Sequence, residues 1–190
     1  EEHGYPKLTD FAVAKEVIGK TFTTCGTSEY MAPEVLVGTG HTRAVDWWAL
    51  GVMTFELMVG RSPFASEYPM DVYSNIMRGF TKLCLPQSCR GQVGDFICSL
   101  LKHEPKDRLA MRPGGADKLT QHAWYKKFDW HSLRYLTLEP PYKPERRSVK
   151  DSWSPKGSPA EVRPYVDDGT GWDEEFAKVT LSMVNQEVLD

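Results

Sequence analysis

The feature that most constrains this chain is an apolar stretch from Asp46 to Val59, DWWALGVMTFELMV. Its apolar residues fall on every side of a helix rather than on one face, which is typical of a helix buried all round. Gly60 directly after it and Pro63 shortly beyond are residues that end helices. The stretch is shorter than the roughly 20 residues that a membrane-spanning helix needs. The sequence therefore predicts a buried helix of a folded domain.

Shorter helices are predicted downstream of this stretch, and prolines separate them. They cover Met70 to Arg78, Gly91 to Leu101 and Asp117 to Trp124. The separating prolines are Pro86, Pro105 and Pro113. The main body of the chain is therefore predicted to be mainly α-helical.

The segment before the buried helix has a different pattern. Residues Lys7 to Ala14 alternate and predict a short strand, whereas Lys15 to Val35 mixes Gly, Thr and Pro without a helical period. This second part predicts a long ordered loop, and such loops often carry function. From Leu138 onward prolines and acidic residues dominate, which indicates an extended tail lying over something larger.

Composition excludes several classes of protein. The chain has 190 residues, 41% of them hydrophobic, which is enough for an ordinary core. A formal net charge of -3 argues against nucleic-acid binding, which needs clustered positive charge. No apolar run is long enough for a membrane span, and the start EEHGYPKL lacks the basic and apolar regions of a secretion signal. We expect a soluble, cytoplasmic protein, and a piece of a longer one because residue 1 is not Met.

The cysteines and histidines do not predict a metal centre. The four cysteines follow neither a CxxC pair nor a zinc-finger spacing, and the five histidines are scattered. We therefore expect reduced structural thiols and no zinc.

Several separated motifs together carry a family resemblance. They are TDFA, TFTTCGTSEYMAPE from Thr21 to Glu34, AVDWWALGV from Ala44 to Val52, and Arg108 after HEPKD. In this order and spacing the sequence resembles a eukaryotic Ser/Thr protein kinase of the AGC group. KFDWHSLRYLTLEPP and GWDEEF resemble the cGMP-dependent kinases first and the cAMP-dependent catalytic subunit second. The resemblance implies a protein-kinase-like large (C-terminal) lobe at residues 1–137 and an extended AGC-type C-terminal tail at 138–190, and it ends near residue 176.

The resemblance implies a nucleotide and metal site. Phosphoryl transfer needs a carboxylate that holds Mg²⁺ against the phosphates of ATP, and Asp10 matches it. Thr9 matches a residue beside the adenine, and Phe176 matches a tail aromatic that lies across the nucleotide cleft. Without the resemblance, Asp10 only ends a strand, Thr9 is a strand residue, and Phe176 is an exposed tail aromatic.

Ala12 stands where the family has a glycine. Alanine restricts the backbone and costs roughly 1 kcal/mol or somewhat more if the position requires a positive φ. We expect a functional but stiffer metal loop.

The resemblance also assigns an activation-loop phosphorylation site. Thr23 matches the threonine whose phosphate gathers basic side chains and orders the loop, and Lys15 matches one of those partners. Thr21 and Thr24 are close enough to be alternatives, and all three are otherwise surface threonines.

Substrate-binding residues follow in the same loop. Thr27 matches the residue that marks Ser/Thr specificity, and otherwise is a turn residue. The pocket for the substrate residue after the acceptor matches Thr24, Ser28 and Met31. Ser28 replaces the usual proline, which frees φ and supplies an N–H.

Glu56 lies in the apolar helix, where an uncompensated carboxylate is costly, so we expect a cationic partner. The family places a substrate arginine against this glutamate, with Glu29 as a weaker companion, which implies basic Ser/Thr protein substrates. An internal salt bridge is the alternative.

Three further residues match structural supports of the family. Glu34 and Arg108 match a partly buried bidentate pair that ties the end of the activation segment to the lobe. Asp46 matches a residue that caps the buried helix and anchors the catalytic loop.

Other kinase motifs are absent from these residues: the glycine-rich loop, the β3 lysine with its glutamate, and the HRD loop with its catalytic base. We expect them upstream, in a longer cGMP-dependent kinase that uses ATP and Mg²⁺ and binds cGMP through separate cyclic-nucleotide-binding domains. The alternatives are a pseudokinase or scaffold lobe, which Ala12 and Ser28 suggest, and a nucleotide-free binding module. We also expect association with a large cytoskeletal or ciliary assembly.

Overall fold

The computed structural model describes residues 3–144, which belong to one compact unit. The described part is helical and contains no β-strand, in agreement with the predicted mainly α fold. Its α-helices are α1 (Pro33–Val37), α2 (Ala44–Val59), α3 (Pro69–Arg78), α4 (Gln92–Leu100), α5 (Asp117–Thr120) and α6 (Trp130–Arg134). None of them is long and apolar enough to cross a membrane.

The predicted helices form close to their predicted bounds. Helix α2 begins two residues before Asp46 and ends at Val59, and Gly60 follows in the left-handed conformation with a φ of 84°. The last predicted helix is shorter than expected and stops at Thr120. His122 has extended backbone, and its Nδ1 accepts a hydrogen bond from Trp124 N (3.2 Å), so a 3-10 turn starts there instead of a continued helix.

The predicted strand at Lys7 to Ala14 is wrong. A strand needs a neighbour that accepts its backbone hydrogen bonds, and the described residues provide none for this segment. Asp10 also interrupts the extended run, because its φ is 59°. The described residues contain a single isolated bridge, between Thr21 and His41.

Helix α2 is central to the core. Trp48 is fully buried and stacks on Phe64 with ring centroids 5.4 Å apart, and Phe80 lies edge-on to both Phe64 and Phe55. On its other side α2 packs against α4, and this approach is close because residue 51 is glycine. A Cβ at Gly51 would come within 2.9 Å of Leu101 Cδ2.

A second aromatic cluster connects α4 to the end of the described chain. It comprises Phe96, His122, Trp124, Tyr125, Phe128 and Trp130, with adjacent ring centroids 4.7 to 6.0 Å apart. Beyond it, Tyr5 donates a hydrogen bond to the Leu138 carbonyl. The first residues of the predicted tail therefore lie against the first described residues of the chain.

Arg108 and Glu34 form a buried ion pair. The guanidinium donates to both carboxylate oxygens, at 2.6 Å and 2.7 Å, and the Arg108 side chain is fully buried. It also donates to the carbonyls of Ala44 (2.8 Å) and Lys102 (3.1 Å) and lies 5.2 Å from the centre of the Trp48 ring. One side chain thus joins α1, the start of α2 and the loop after α4.

We expect Arg108→Met to lower the free energy of unfolding by about 3–5 kcal/mol, because it leaves the Glu34 carboxylate buried without a cation. Arg108→Lys should lose less, because it keeps the charge but not the paired geometry. Chemical denaturation of the purified protein measures both. Arg112→Met is the matched control, since Arg112 is exposed and its one hydrogen bond within residues 3–144 goes to the Asp107 carbonyl. A loss below about 1 kcal/mol for Arg108→Met, the size typical of a surface pair, would contradict this account.

Gly94 provides a second test of the packing. A Cβ at this position would collide with the Cys89 carbonyl oxygen and lie 2.8 Å from Leu85 Cδ1. We expect Gly94→Ala to destabilise the protein by about 1–3 kcal/mol, although alanine favours a helix over glycine by about 1 kcal/mol. Gln92→Ala, on the exposed first residue of α4, is the control. If the melting temperature of Gly94→Ala equals or exceeds that of the parent protein, the segment with Leu85 and Cys89 moves aside without cost, which would contradict this expectation.

Candidate functional site

The predicted metal loop lies on the surface. Thr9 and Asp10 are exposed, and no described side chain pairs with the Asp10 carboxylate. The residue with a positive φ in this loop is Asp10, not Ala12, and aspartate tolerates that conformation better than most residues. The backbone penalty considered for Ala12 therefore does not arise.

The metal loop offers one carboxylate rather than a complete cage. Within residues 3–144 no group of three or more His, Cys, Asp or Glu side chains is placed to hold a metal ion. A free, exposed carboxylate fits Mg²⁺, which usually keeps several waters and takes one or two protein carboxylates besides phosphate oxygens. The third predicted nucleotide residue, Phe176, lies outside the described residues.

Lys15 and Thr23 are in contact across the loop. Lys15 Nζ donates to Thr23 Oγ1 at 2.8 Å, and both residues are exposed. The structure thus brings together the predicted phosphorylation site and its predicted cation. No such contact links Lys15 to the two alternative sites, Thr21 and Thr24, in the described part of the chain.

The predicted substrate pocket surrounds a 3-10 turn at Ser28–Tyr30. Thr24 and Thr27 are exposed, while Ser28 and Met31 are half-buried. Ser28 is the first residue of the turn, a position whose N–H has no partner within the turn and where proline also fits. The change from proline to serine therefore leaves the turn intact and adds a hydroxyl beside the pocket.

Glu56 has a different partner from the one expected. The sequence predicts a cation, but the Tyr30 hydroxyl donates to Glu56 Oε2, and no described Lys, Arg or His forms an ion pair with Glu56. A hydroxyl suffices because Glu56 is only half-buried and keeps part of its hydration. The alternative of an internal salt bridge is thus not found in residues 3–144.

The carboxylates around Tyr30 change its acidity. The hydrogen bond to Glu56, with burial and the charges of Glu56 and Glu29, raises the pKa of Tyr30 to about 12. The phenol therefore stays protonated and remains a donor throughout the physiological range. Glu29 lies in the turn and Glu56 lies on α2, and the charges of both act on this ring.

Tyr30 is the site residue that sequence reasoning missed. The sequence indicated that Glu56 needs a hydrogen-bond donor, but several polar residues could have been that donor.

The predicted role of Asp46 as a helix cap also needs a correction. Asp46 lies inside the first turn of α2 and does not cap it, because the N-cap position belongs to Arg43 and the Ala44 N–H donates to Thr42 Oγ1 at 3.3 Å. Partial burial raises the pKa of the Asp46 carboxyl, which has no described partner.

Comparison with known proteins identifies the family of this chain. Residues 1–125 match the protein kinase domain family. The chain is 40% identical over 178 residues to the Drosophila melanogaster "cGMP-dependent protein kinase, isozyme 2 forms cD5/T2", covering 92% of this chain and 19% of that protein. It is 38% identical over 176 residues to the Caenorhabditis elegans cGMP-dependent protein kinase egl-4, covering 91% of this chain and 23% of that protein.

A human relative extends the comparison to the cAMP-dependent kinases. The catalytic subunit PRKX is 40% identical over 145 residues, which cover 76% of this chain and 40% of that protein. The chain thus spans less than half the length of each of these relatives. The family match and these identities agree with the helical lobe and with the predicted resemblance to AGC kinases of the cGMP-dependent type, and the chain belongs to the protein kinase family.

Proposed function

We propose that the chain is part of a cGMP-dependent Ser/Thr protein kinase that transfers the γ-phosphate of ATP to Ser or Thr in basic proteins. The observation that carries the substrate class is the Glu56 carboxylate. It is half-buried, it accepts a hydrogen bond from the Tyr30 hydroxyl, and no described cation pairs with it. Such a carboxylate is suited to receive an arginine from outside the lobe.

The remaining residues would act around that arginine. Mg²⁺, when bound, neutralises the phosphate charge of ATP, and Asp10 would supply a carboxylate ligand to it. Thr27 would lie beside the acceptor hydroxyl, while Thr24, Ser28 and Met31 would contact the residue after it. The hydroxyl of Ser28 favours a more polar residue at that substrate position than proline would.

Glu29 strengthens the preference for basic substrates. Its charge, like that of Glu56, acts on the Tyr30 phenol, so the two carboxylates lie on the same part of the surface. Two nearby negative charges attract a peptide with more than one basic side chain. The control of this activity by cGMP rests on the relatives' names and on domains that the 190 residues do not contain.

We expect Glu56→Gln to lower kcat/KM for an arginine-containing Ser peptide roughly 30-fold, because the arginine loses a partly desolvated charge partner worth about 2 kcal/mol. Steady-state kinetics with the full-length protein, with and without cGMP, measures this effect. The same variant should change kcat/KM little for the peptide in which alanine replaces that arginine. Glu67→Gln, on an exposed glutamate, is the matched control.

Two results of this experiment would count against the proposal. Equal losses for both peptides would mean that Glu56 serves the fold and not substrate charge. No phosphorylation of either peptide by the unmodified full-length protein would favour the pseudokinase alternative.

We expect phosphorylation of Thr23 to slow hydrogen exchange in residues 13–27 by on the order of tenfold, because the phosphate gains a charge-assisted contact with Lys15. Exchange mass spectrometry on the phosphorylated and dephosphorylated protein measures the difference. Lys15→Met should remove most of it, whereas Lys20→Met, on the same loop but bonded to the Thr39 carbonyl, should not.

The same samples identify the modified threonine. Thr23→Ala should abolish the protection, while Thr21→Ala and Thr24→Ala should retain it. Protection that persists in Thr23→Ala and disappears in either neighbour would assign the site to that neighbour.

A further inference from the structure

The segment between α3 and α4 is held against the first half of α4. Lys82 Nζ lies 2.6 Å from Asp95 Oδ1, and this ion pair joins the 3-10 turn Lys82–Cys84 to the helix. Further along, Leu85 Cδ1 lies 2.8 Å from the position that a Cβ would take on Gly94, and the Cys89 carbonyl is closer still. Residues 82–89 therefore follow the surface of α4.

Two cysteines lie on the two sides of this contact. Cys84 ends the 3-10 turn, is exposed, and has its Sγ 3.6 Å from Thr81 Oγ1. Cys98 lies on α4 three residues after Asp95, and residues at this spacing are neighbours on one helix face. The Lys82 ion pair thus brings the turn that carries Cys84 to the face that carries Cys98.

The surroundings of Cys98 agree with this placement. Burial raises the pKa of the Cys98 thiol, while the charges of Lys82 and Lys102 lower it and those of Asp95 and Cys84 raise it. Cys84 and Lys82 are therefore both within electrostatic range of the Cys98 sulfur. Cys98 is 9% exposed, at the edge of the core rather than inside it.

We propose that Cys84 and Cys98 form a reversible intramolecular disulfide, with a hydroperoxide as the oxidant. The pair joins an exposed thiol, which a small oxidant reaches first, to a less accessible thiol on the neighbouring helix, which resolves the oxidised intermediate. This division of roles is typical of redox-responsive cysteine pairs in reducing compartments.

The chemistry balances in two steps. The Cys84 thiolate attacks one peroxide oxygen, the O–O bond breaks, and Cys84 becomes a sulfenic acid while hydrogen peroxide is reduced to water. The Cys98 thiolate then attacks the Cys84 sulfur, forming the S–S bond, and the sulfenic oxygen leaves as a second water with the proton of the Cys98 thiol. Two thiols and one peroxide thus give one disulfide and two waters.

The other two cysteines are poorer candidates. Cys89 is fully buried in the core cluster, so an oxidant in solution reaches its sulfur less readily than that of the exposed Cys84. Cys25 is exposed but lies in the loop before the Ser28–Tyr30 turn, away from α4 in the chain. Cys25 is therefore a suitable control for general surface oxidation.

The disulfide would restrain a segment close to the proposed substrate pocket at the Ser28–Tyr30 turn. It fixes the segment that follows α3, and α3 packs against the Ser28–Tyr30 turn. We therefore expect the oxidised protein to show hydrogen exchange in residues 79–91 that is at least tenfold slower than in the reduced protein.

Trypsin makes the proposal directly testable, because cleavage after Lys82, Arg90 and Lys102 gives LCLPQSCR (83–90) and GQVGDFICSLLK (91–102). The full-length protein is treated with hydrogen peroxide, free thiols are blocked with N-ethylmaleimide, and the digest is analysed by mass spectrometry without reduction. We expect the two peptides to be linked, with the link removed by dithiothreitol. Cys89→Ser and Cys25→Ser should keep the link, and Cys84→Ser and Cys98→Ser should lose it.

Three outcomes would overturn the proposal. They are a link that disappears in Cys89→Ser, a disulfide within 83–90 that leaves Cys98 blocked by N-ethylmaleimide, and Cys84 recovered as a sulfonic acid or in a linked dimer. Near-ultraviolet circular dichroism of each reduced variant shows whether it is folded. If Cys98→Ser fails to fold, Cys98→Ala in the same assay replaces it.

Discussion

The arrangement of the described lobe depends on the burial of Arg108 against Glu34. A guanidinium withdrawn from water is stable only if its donors are satisfied, and here carboxylate oxygens and backbone carbonyls accept them. Because those acceptors belong to three separate segments, the pair can form only when α1, the start of α2 and the loop after α4 are in place. The ion pair thus selects one packing, and the stacked Trp48 and Phe64 rings extend it into the core.

Glu56 differs from Glu34 in the partner of its carboxylate. Its partner is a neutral phenol, so one hydrogen bond orients the carboxylate but no cation cancels its charge. The Glu34 carboxylate is already paired with Arg108 inside the lobe, whereas the Glu56 carboxylate has no described cationic partner and can accept one. The difference follows from burial, since Glu34 is nearly inaccessible and Glu56 is half-buried. Burial therefore separates the structural glutamate from the proposed binding glutamate, although both follow apolar residues in the sequence.

Much of the fold could be predicted because the helices are marked locally. The apolar run of α2 and the glycine after it set that helix to within two residues, and the position of Arg108 after HEPKD gave its pairing with Glu34 by resemblance. Contacts between residues far apart in the sequence could not be predicted. Lys7 to Ala14 alternate like a strand but have no described neighbour to pair with. The donor to Glu56 is a tyrosine 26 positions away, which no periodic pattern indicates.

The site differs from its scaffold in exposure, and this difference has a physical reason. Asp10, Lys15, Thr23 and Thr27 are all exposed, while Pro33, Glu34 and Trp48 on α1 and α2 are buried. A side chain that is proposed to contact a phosphate or a peptide must keep its polar atoms exposed instead of pairing them inside the lobe. Asp10 has a φ of 59°, a left-handed conformation that aspartate tolerates better than most residues, and no described side chain pairs with its carboxylate. An exposed carboxylate without a partner inside the lobe is accessible to a metal ion from solution, and Mg²⁺ takes one or two such carboxylates besides phosphate oxygens and waters.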